Sequence, residues 1–286
     1  MLPILALIRR RRGSAMAHLK RRRLGRTGLM LPELGLGAMD TPQGPEGPET
    51  LKAALDLGVE FVDTARGYAG SEHLIGEVVR ERGNGFFLAS KTFSHNINGS
   101  QWDVDRSLQA LGVDQIDLYQ LHDVRTMEVW DEVTGPNGAL AGLRAAQERE
   151  LVRYVGISSH DLEVVRVAIL SGEFETVMLE YSAFYPESAP LIELAREHDV
   201  AVIVMRPLGG SGRTNVMRGR IAGGYGGVLT PANLLRYVLS NPGVSVAIPG
   251  ARYPSRVEEN VATATTYGPM DDAERRALEA AASELY

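Results

Sequence analysis

The chain is predicted to fold as an α/β protein, a (β/α)8 TIM barrel with an N-terminal hairpin and an extra C-terminal helix. Three observations lead there. Short apolar, β-branched runs alternate with longer amphipathic stretches eight times over, the pattern of parallel strands joined by crossover helices. No Gly-x-Gly-x-x-Gly follows the first strand, where an open dinucleotide-binding sheet would carry it. No break in composition marks a second domain, so residues 19–286 are expected to form one barrel domain, with residues 1–18 a disordered extension.

Taken in order, Arg23-Leu24-Gly25-Arg26-Thr27-Gly28-Leu29-Met30 reads as a hairpin around glycine-containing turns, placed to plug the lower end of the barrel. Strands are predicted at Leu34–Gly37, Phe61–Asp63, Phe86–Lys91, Ile116–Leu121, Val152–Ser158, Val177–Glu180, Ala201–Met205 and Val244–Ile248. The helical patterns between them fall near Glu49–Leu57, Ser71–Glu81, Trp102–Leu111, Ala139–Glu150, Leu162–Leu170, Pro190–His198, Pro231–Leu239 and Pro254–Thr266. Asp271–Leu285 adds a terminal helix. Asp161 ahead of Val164 and Val165, and Thr230 ahead of Pro231, are helix-start signals. The glycine-rich stretch 209–227 has few apolar residues and is expected to be a mobile lid.

Composition narrows the function classes. With 286 residues, 44% of them hydrophobic, the chain can bury a sizeable core. No apolar run approaches the roughly 20 residues that span a bilayer. The absence of cysteine excludes disulfides, thiolate catalysis and Cys-ligated metals, and suits a cytoplasmic setting. A net charge of −6 hides an asymmetry: residues 1–26 hold nine Lys/Arg and no acid, whereas the rest holds 21 Lys/Arg against 36 Asp/Glu. A basic arm of this kind can bind nucleic acid or anionic lipid, but the acidic body opposes both, so neither partner is expected. Met1–Ile8 lacks the charge order and cleavage site of a signal peptide, and Met16 offers an alternative initiator. His95, His160 and His198 are scattered without acids at ligand spacing, so no metal site is expected. Trp102 and Trp130 read as packing residues.

Reactive groups of such barrels sit at the C-terminal ends of the strands, which here carry Asp63, Lys91, His122, Ser158, Glu180 and Met205. A charge closing an apolar strand costs free energy unless it is paired. One such residue alone is more often structural; three facing one mouth are most simply explained by mutual pairing. Tyr68, five residues past Asp63, sits in a loop long enough to turn back over that mouth. A phenol of pKa about 10 is a poor acid at neutral pH, and a nearby ammonium is expected to lower that value, with a carboxylate holding the ammonium in place. Asp63, Tyr68 and Lys91 therefore suit a proton-donor relay, and His122 suits a hydrogen bond to a substrate carbonyl.

The segments Gly58-Val59-Glu60-Phe61-Val62-Asp63-Thr64-Ala65-Arg66-Gly67-Tyr68, Ala89-Ser90-Lys91, Asp117-Leu118-Tyr119-Gln120-Leu121-His122, Val155-Gly156-Ile157-Ser158 and Ile248-Pro249-Gly250-Ala251-Arg252 together resemble the aldo-keto reductases, over Arg23 to about Asn260. The resemblance implies a (β/α)8 barrel, an extended nicotinamide cofactor held without a Rossmann fold, and a catalytic tetrad of Asp63, Tyr68, Lys91 and His122. It also implies reduction of aldehydes or ketones by direct hydride transfer.

The cofactor positions depart from the family pattern. A Ser-Asn pair and a Gln that usually grip the nicotinamide amide are here Ser158-Ser159 and Met178, and a stacking aromatic is replaced by Met205. Met can still pack on a ring face through its polarisable sulfur. Leu208 and Gly209 are expected along the pyrophosphate, and Pro207 beside them is expected to touch the cofactor. Arg256, Glu259 and Asn260 align with the segment that meets the 2′-phosphate and adenine, and Arg suits that phosphate by its forked geometry. A Lys common after Ile-Pro is Gly250 here, leaving Arg252 as its substitute; by themselves Arg252 and Arg256 would pass for ordinary helix charges. The balance favours NADP(H) modestly over NAD(H). Asp123 replaces an aromatic after the active-site His and suggests a polar, sugar-like substrate pocket. The expected function is NAD(P)H-dependent carbonyl reduction, with an oxidative sugar or polyol dehydrogenase as the alternative. A cofactor-sensing subunit without catalysis is the remaining reading.

Overall fold

The computed structural model describes residues 18–224 and 227–285, so the extension expected over residues 1–18 lies outside the described residues apart from His18. A short antiparallel hairpin opens the fold: β1 (Arg21–Arg23) and β2 (Met30–Pro32) pair Arg22 with Leu31 across a turn at Gly25–Thr27. Eight parallel strands follow, β3 (Leu36–Gly37), β4 (Phe61–Asp63), β5 (Phe87–Thr92), β6 (Ile116–Leu121), β7 (Val152–Ser158), β8 (Thr176–Glu180), β9 (Ala201–Met205) and β10 (Val244–Ala247). Each pairs with its sequence neighbour. The first and last meet as well: Gly35 N donates to Ala247 O at 2.9 Å, and Ala247 N donates to Glu33 O at 2.8 Å. That closes the (β/α)8 barrel.

Helices α1 (Gly47–Asp56), α2 (Ser71–Arg82) and α3 (Ile97–Leu111) cover the first strands, and α4 (Met127–Thr134) and α5 (Ala139–Glu148) follow β6. Then come α6 (Leu162–Ser171), α7 (Ala189–Glu197), α8 (Ser211–Ala222), α9 (Pro231–Leu239), α10 (Pro254–Thr266) and the terminal α11 (Asp272–Ser283). The helix starts read from sequence carry their caps: Asp161 Oδ1 accepts from Glu163 N and Val164 N, both at 2.9 Å, and Thr230 Oγ1 accepts from Asn233 N at 3.1 Å. Three elements differ from expectation. Asn96 caps α3 a turn and a half before the expected Trp102, its side chain accepting from Gly99 N at 2.9 Å. Helix α4 carries too short a pattern to be read; only Trp130 and Val133 of it are buried. Helix α8 fills most of the stretch expected to be a mobile lid, and it buries Met217 alone, so no apolar stripe announced it. Trp102 is exposed and Trp130 buried.

Two apolar layers support the site. The larger lies between strands and helices; the smaller fills the barrel, with Phe61 stacked on Phe87 at 5.2 Å and Leu118, Met178, Ile203, Val246 and Ile248 above them. Leu24 and Leu31 of the hairpin enter this inner cluster from below, as a plug should. The plug fits because Gly25 has φ +47° and a Cβ there would stand 2.5 Å from Ala201 N. Arg22 fastens it further, donating to the carbonyls of Leu239, Asn241 and Val244 at 2.5–2.7 Å and pairing with buried Glu33. The hairpin therefore seals the lower end of the barrel.

Candidate active site

Asp63 closes β4, Lys91 lies one residue from the end of β5, and His122 directly follows β6, so adjacent strands deliver all three to one mouth. Lys91 Nζ donates to Asp63 Oδ2 at 2.6 Å and to Thr64 O at 2.7 Å. Gln120 Nε2 reaches Asp63 Oδ1 at 3.5 Å. The loop after β4 turns back as its length allowed: Arg66 N donates to Lys91 O at 3.1 Å and Tyr68 N to Ala65 O at 3.0 Å. Below the loop, buried Glu72 accepts from Ser90 Oγ at 2.7 Å and Ser107 Oγ at 2.6 Å and pairs with Arg66, fixing its base to β5 and α3. Tyr68 consequently hangs over the ion pair, with the Lys91 ammonium 4.9 Å from its ring centroid and its Oη 3.3 Å from His122 Nε2.

The electrostatics follow from burial. Desolvation of Lys91 is outweighed by Asp63 and Tyr68, which hold its ammonium charged, its pKa above the ordinary lysine value. Burial pushes the Asp63 carboxyl up, and Lys91 offsets part of that. Tyr68 corrects an expectation. Burial raises its phenol above the ordinary value, and the lowering by Lys91 does not overcome it. The phenol therefore carries its proton at neutral pH. His122 is driven down to about 2, by burial first and then by the charges of Lys91 and His160, so the imidazole is neutral. Its Nδ1 is enclosed without a hydrogen-bond partner, and Phe93 stacks on the ring at 3.9 Å between centroids.

Above these residues lies a cavity of about 990 Å3. Asp63, Tyr68 and His122 line it, with Lys91 fully buried behind. Of the expected cofactor residues, Ser158, Met178, Met205, Pro207, Leu208, Gly209, Gly250, Arg252, Arg256 and Asn260 all face this same cavity. Two do not. Ser159 Oγ turns away, donating to Val124 O at 2.5 Å and accepting from Asp161 N at 2.9 Å. Glu259 stands behind the far end, where its carboxylate joins Arg256 Nη1 at 2.5 Å to Arg218 Nη2 of α8 at 2.7 Å. Arg252 meets Asp40 Oδ2 at 3.3 Å and Gln43 Oε1 at 3.1 Å. Gly209, at φ +81°, lets the chain after β9 turn sharply into α8, and a Cβ there would meet the Phe184 ring at 2.5 Å.

The sequence reading missed several wall residues: Phe93, Arg125, Arg206, and Asp40, Arg213 and Arg218 farther along. The first three follow strand ends by one to four positions, which is the signal that could have found them. His160, expected to stand apart, lies inside a cluster: Nδ1 is 2.9 Å from Glu180 Oε1 and Nε2 is 3.8 Å from Asp123 Oδ1. Asp123, expected to make the pocket polar, is mostly covered and paired with Arg125 at 2.6 Å. No cluster of His, Asp and Glu suited to a metal occurs among the described residues.

A barrel closed below, with a buried Lys-Asp pair under a tyrosine and a histidine above, defines a recognisable class. The aldo/keto reductase family model matches residues 33–224, two-thirds of the chain, and the protein belongs to that family. An uncharacterized oxidoreductase of Bacillus subtilis is 27% identical over 205 residues, covering 66% of this chain and 65% of its own. An aldo-keto reductase of Schizosaccharomyces pombe designated for NADP(+) is 27% identical over 222 residues, covering 68% of this chain and 61% of its own. These matches thus span less than two-thirds of the relatives' lengths. The holo structure of an aldo-keto reductase from Bacillus halodurans shares the fold, with a TM-score of 0.75 at 24% identity over 92% of this chain and 96% of that one.

Proposed function

We propose that the protein reduces aldehydes or ketones to alcohols with NAD(P)H, with Tyr68 donating the proton. The observation that carries this reading is the Tyr68–His122 contact at 3.3 Å, directly above the Lys91–Asp63 pair at 2.6 Å, at one end of a cavity long enough to continue to Arg256 and Asn260. A carbonyl oxygen placed between Tyr68 Oη and His122 Nε2 would meet two hydrogen-bonding groups at once. His122, being neutral, orients and polarises it without adding a full charge. Tyr68 holds the proton that the product alkoxide needs. Lys91, kept charged by Asp63, stabilises the phenolate left behind.

The rest of the cavity fits a nicotinamide dinucleotide laid out at length, which when bound supplies the hydride. Met178, Met205 and Ser158 would floor the nicotinamide, Leu208 and Gly209 would flank the pyrophosphate, and Arg252, Arg256 and Asn260 would take the adenosine end. Arginines at that end favour the phosphorylated cofactor, NADP(H), over NAD(H), in keeping with the NADP(+) designation of the yeast relative. Small carbonyl compounds are the substrates, in a cytoplasmic setting that suits a chain without cysteine. The polyol reading has less support from Asp123, because Arg125 holds its Oδ2 and its Oδ1 is buried; comparing NADPH with NADH addresses its other motive, the 2′-phosphate site.

The test is cofactor consumption with a panel of aldehydes and ketones, run with NADPH and NADH. Turnover of several carbonyls, faster with NADPH, is expected. A folded protein that binds cofactor yet reduces no carbonyl and oxidises no corresponding alcohol would overturn the proposal.

A further inference from the structure

The ends of β6 and β9 share an unusual backbone. Asp123 and Arg206, the residues directly after His122 and Met205, have φ of +58° and +49°, the left-handed region that non-glycine residues rarely occupy. Strain of this kind persists where the surrounding structure insists on it, and it clusters at binding sites. Both residues carry charge to the cavity wall, and both belong to one ionic cluster. Arg206 Nη1 donates to Glu180 Oε1 at 2.5 Å, and the same oxygen is 2.9 Å from His160 Nδ1. Arg125 holds Asp123 Oδ2 from Nε at 2.7 Å and from Nη2 at 2.6 Å.

What a ligand would meet here is decided by exposure. The Glu180 and Asp123 side chains are 10% and 16% exposed, whereas Arg206 and Arg125 are 52% and 68% exposed. The carboxylates face inward, with Asp123 Oδ1 buried and Asp123 Oδ2 and Glu180 Oε1 paired to the arginines and His160; the donors face outward. Arg125, His160 and Arg206 also line a second hollow of about 340 Å3 that adjoins the main cavity through those same residues. The Arg206 charge acts on Tyr68, and the His160 charge on His122, so the cluster stands within electrostatic reach of the reacting end. A hydroxyl-rich ligand would need exposed acceptors, and Asp123 Oδ1, which has no hydrogen bond, is buried. A planar anion would find forked cationic donors.

From these placements we infer that Arg206, flanked by Arg125, forms a subsite for a carboxylate on the carbonyl substrate. The substrate class is then aldehydes or ketones bearing an acid group a few carbons from the carbonyl. The inference rests on the reading of Tyr68 and His122 as the carbonyl-binding end. Arg206 is a specificity residue in this account, and Glu180 and His160 position it.

The experiment compares straight-chain oxo acids with their methyl esters, taking the ratio of the two kcat/KM values as the readout. Wild type is expected to favour the acid by about tenfold or more, chiefly through KM, a preference that shrinks with added salt. Arg206→Gln is expected to collapse the ratio by about tenfold to a hundredfold, Arg206→Lys to keep part of it, and Arg125→Gln to lower it less. Calorimetric binding of a short alkyl carboxylate against its amide, on the cofactor-loaded protein, gives the same comparison without turnover. Equal use of acid and ester by wild type, or a preference that survives both glutamine substitutions, would overturn the inference. A loss shared equally by acid and ester in Arg206→Gln would overturn it too. If no carbonyl is reduced at all, the proposed activity falls. Calorimetry then decides the subsite separately: carboxylate binding lost in Arg206→Gln upholds it, and equal binding of carboxylate and amide overturns it.

Discussion

The floor and the rim of the cavity are both built from ion pairs, yet they behave as different materials. On the floor, the Lys91 and Asp63 side chains are 0% and 3% exposed, and each has secondary partners in Thr64 and Gln120. On the rim, Arg206, Arg125 and Arg256 reach into solvent from carboxylates that lie deeper or share them. A buried charge that loses its partner has nowhere to go, because water cannot replace it. An exposed guanidinium that loses its carboxylate is resolvated at little cost. The floor can therefore hold one charge distribution through a reaction, and the rim can exchange a protein carboxylate for a ligand anion. Fixed chemistry below and negotiable recognition above follow from burial alone.

The hardest test of that contrast removes one half of the floor pair. Lys91→Met leaves Asp63 desolvated and is expected to cost about 3–5 kcal/mol of stability at neutral pH, measured by urea unfolding. Asp63→Asn combined with Lys91→Met should recover much of that stability while leaving turnover abolished. A single variant as stable as wild type would show that the pair is not sealed from water. Next in size, Tyr68→Phe should lower turnover by about 10²-fold or more while the unfolding midpoint stays unchanged, since the phenol's contacts are chemical rather than structural. Unchanged turnover would remove Tyr68 from the proton-donor role.

The same contrast explains what was legible in the sequence. Floor residues stand at the ends of apolar strands, and a charge closing an apolar run is visible in one dimension; hence Asp63 and Lys91 could be read, as could His122 just past β6 and Tyr68 through its short loop to Asp63. The barrel itself was legible because strands such as Val152–Ser158 and Ala201–Met205 are rich in β-branched residues. Rim residues are polar side chains in loops, where almost any residue is tolerated, and only the fold says which face the cavity. For that reason His160 reads in the sequence only as a scattered histidine and Arg206 is not singled out, and α8 looks like a glycine-rich lid because it has nearly nothing to bury. The direction of the Tyr68 shift was also hidden, since the ammonium was in the sequence and the burial opposing it was not.

His122 sits between floor and rim, and its titration measures how far burial extends. Its folded pKa of about 2 lies far below the unfolded value of about 6.5. Below pH 6.5 the unfolded chain takes up a proton that the folded one refuses, so stability contributed by the neutral ring is present above that pH and lost as pH falls. Between pH 7 and 4.5 this group alone should cost about 2–3 kcal/mol. His122→Gln should flatten the acid side of a stability-against-pH curve by that amount. Identical curves for the two proteins would mean the ring is wetter than its enclosure indicates.

The smallest effect on the fold, and the most telling about the rim, belongs to Arg256. Its pairing with Glu259 at 2.5 Å is one helical turn of a solvated helix, and that carboxylate is shared with Arg218 at 2.7 Å. Pairs of this kind contribute between nothing and about 1 kcal/mol, so Arg256→Gln should leave the unfolding midpoint nearly unchanged. Cofactor binding responds differently. If Arg256 exchanges Glu259 for a 2′-phosphate, the substitution should weaken NADPH by about tenfold and leave NADH within about twofold, as read by calorimetry. Equal weakening of both cofactors would instead assign Arg256 to the adenine or pyrophosphate. No change in either would return it to an ordinary surface charge. A tenfold discrimination from a contact that the fold hardly registers is what separates a rim from a floor.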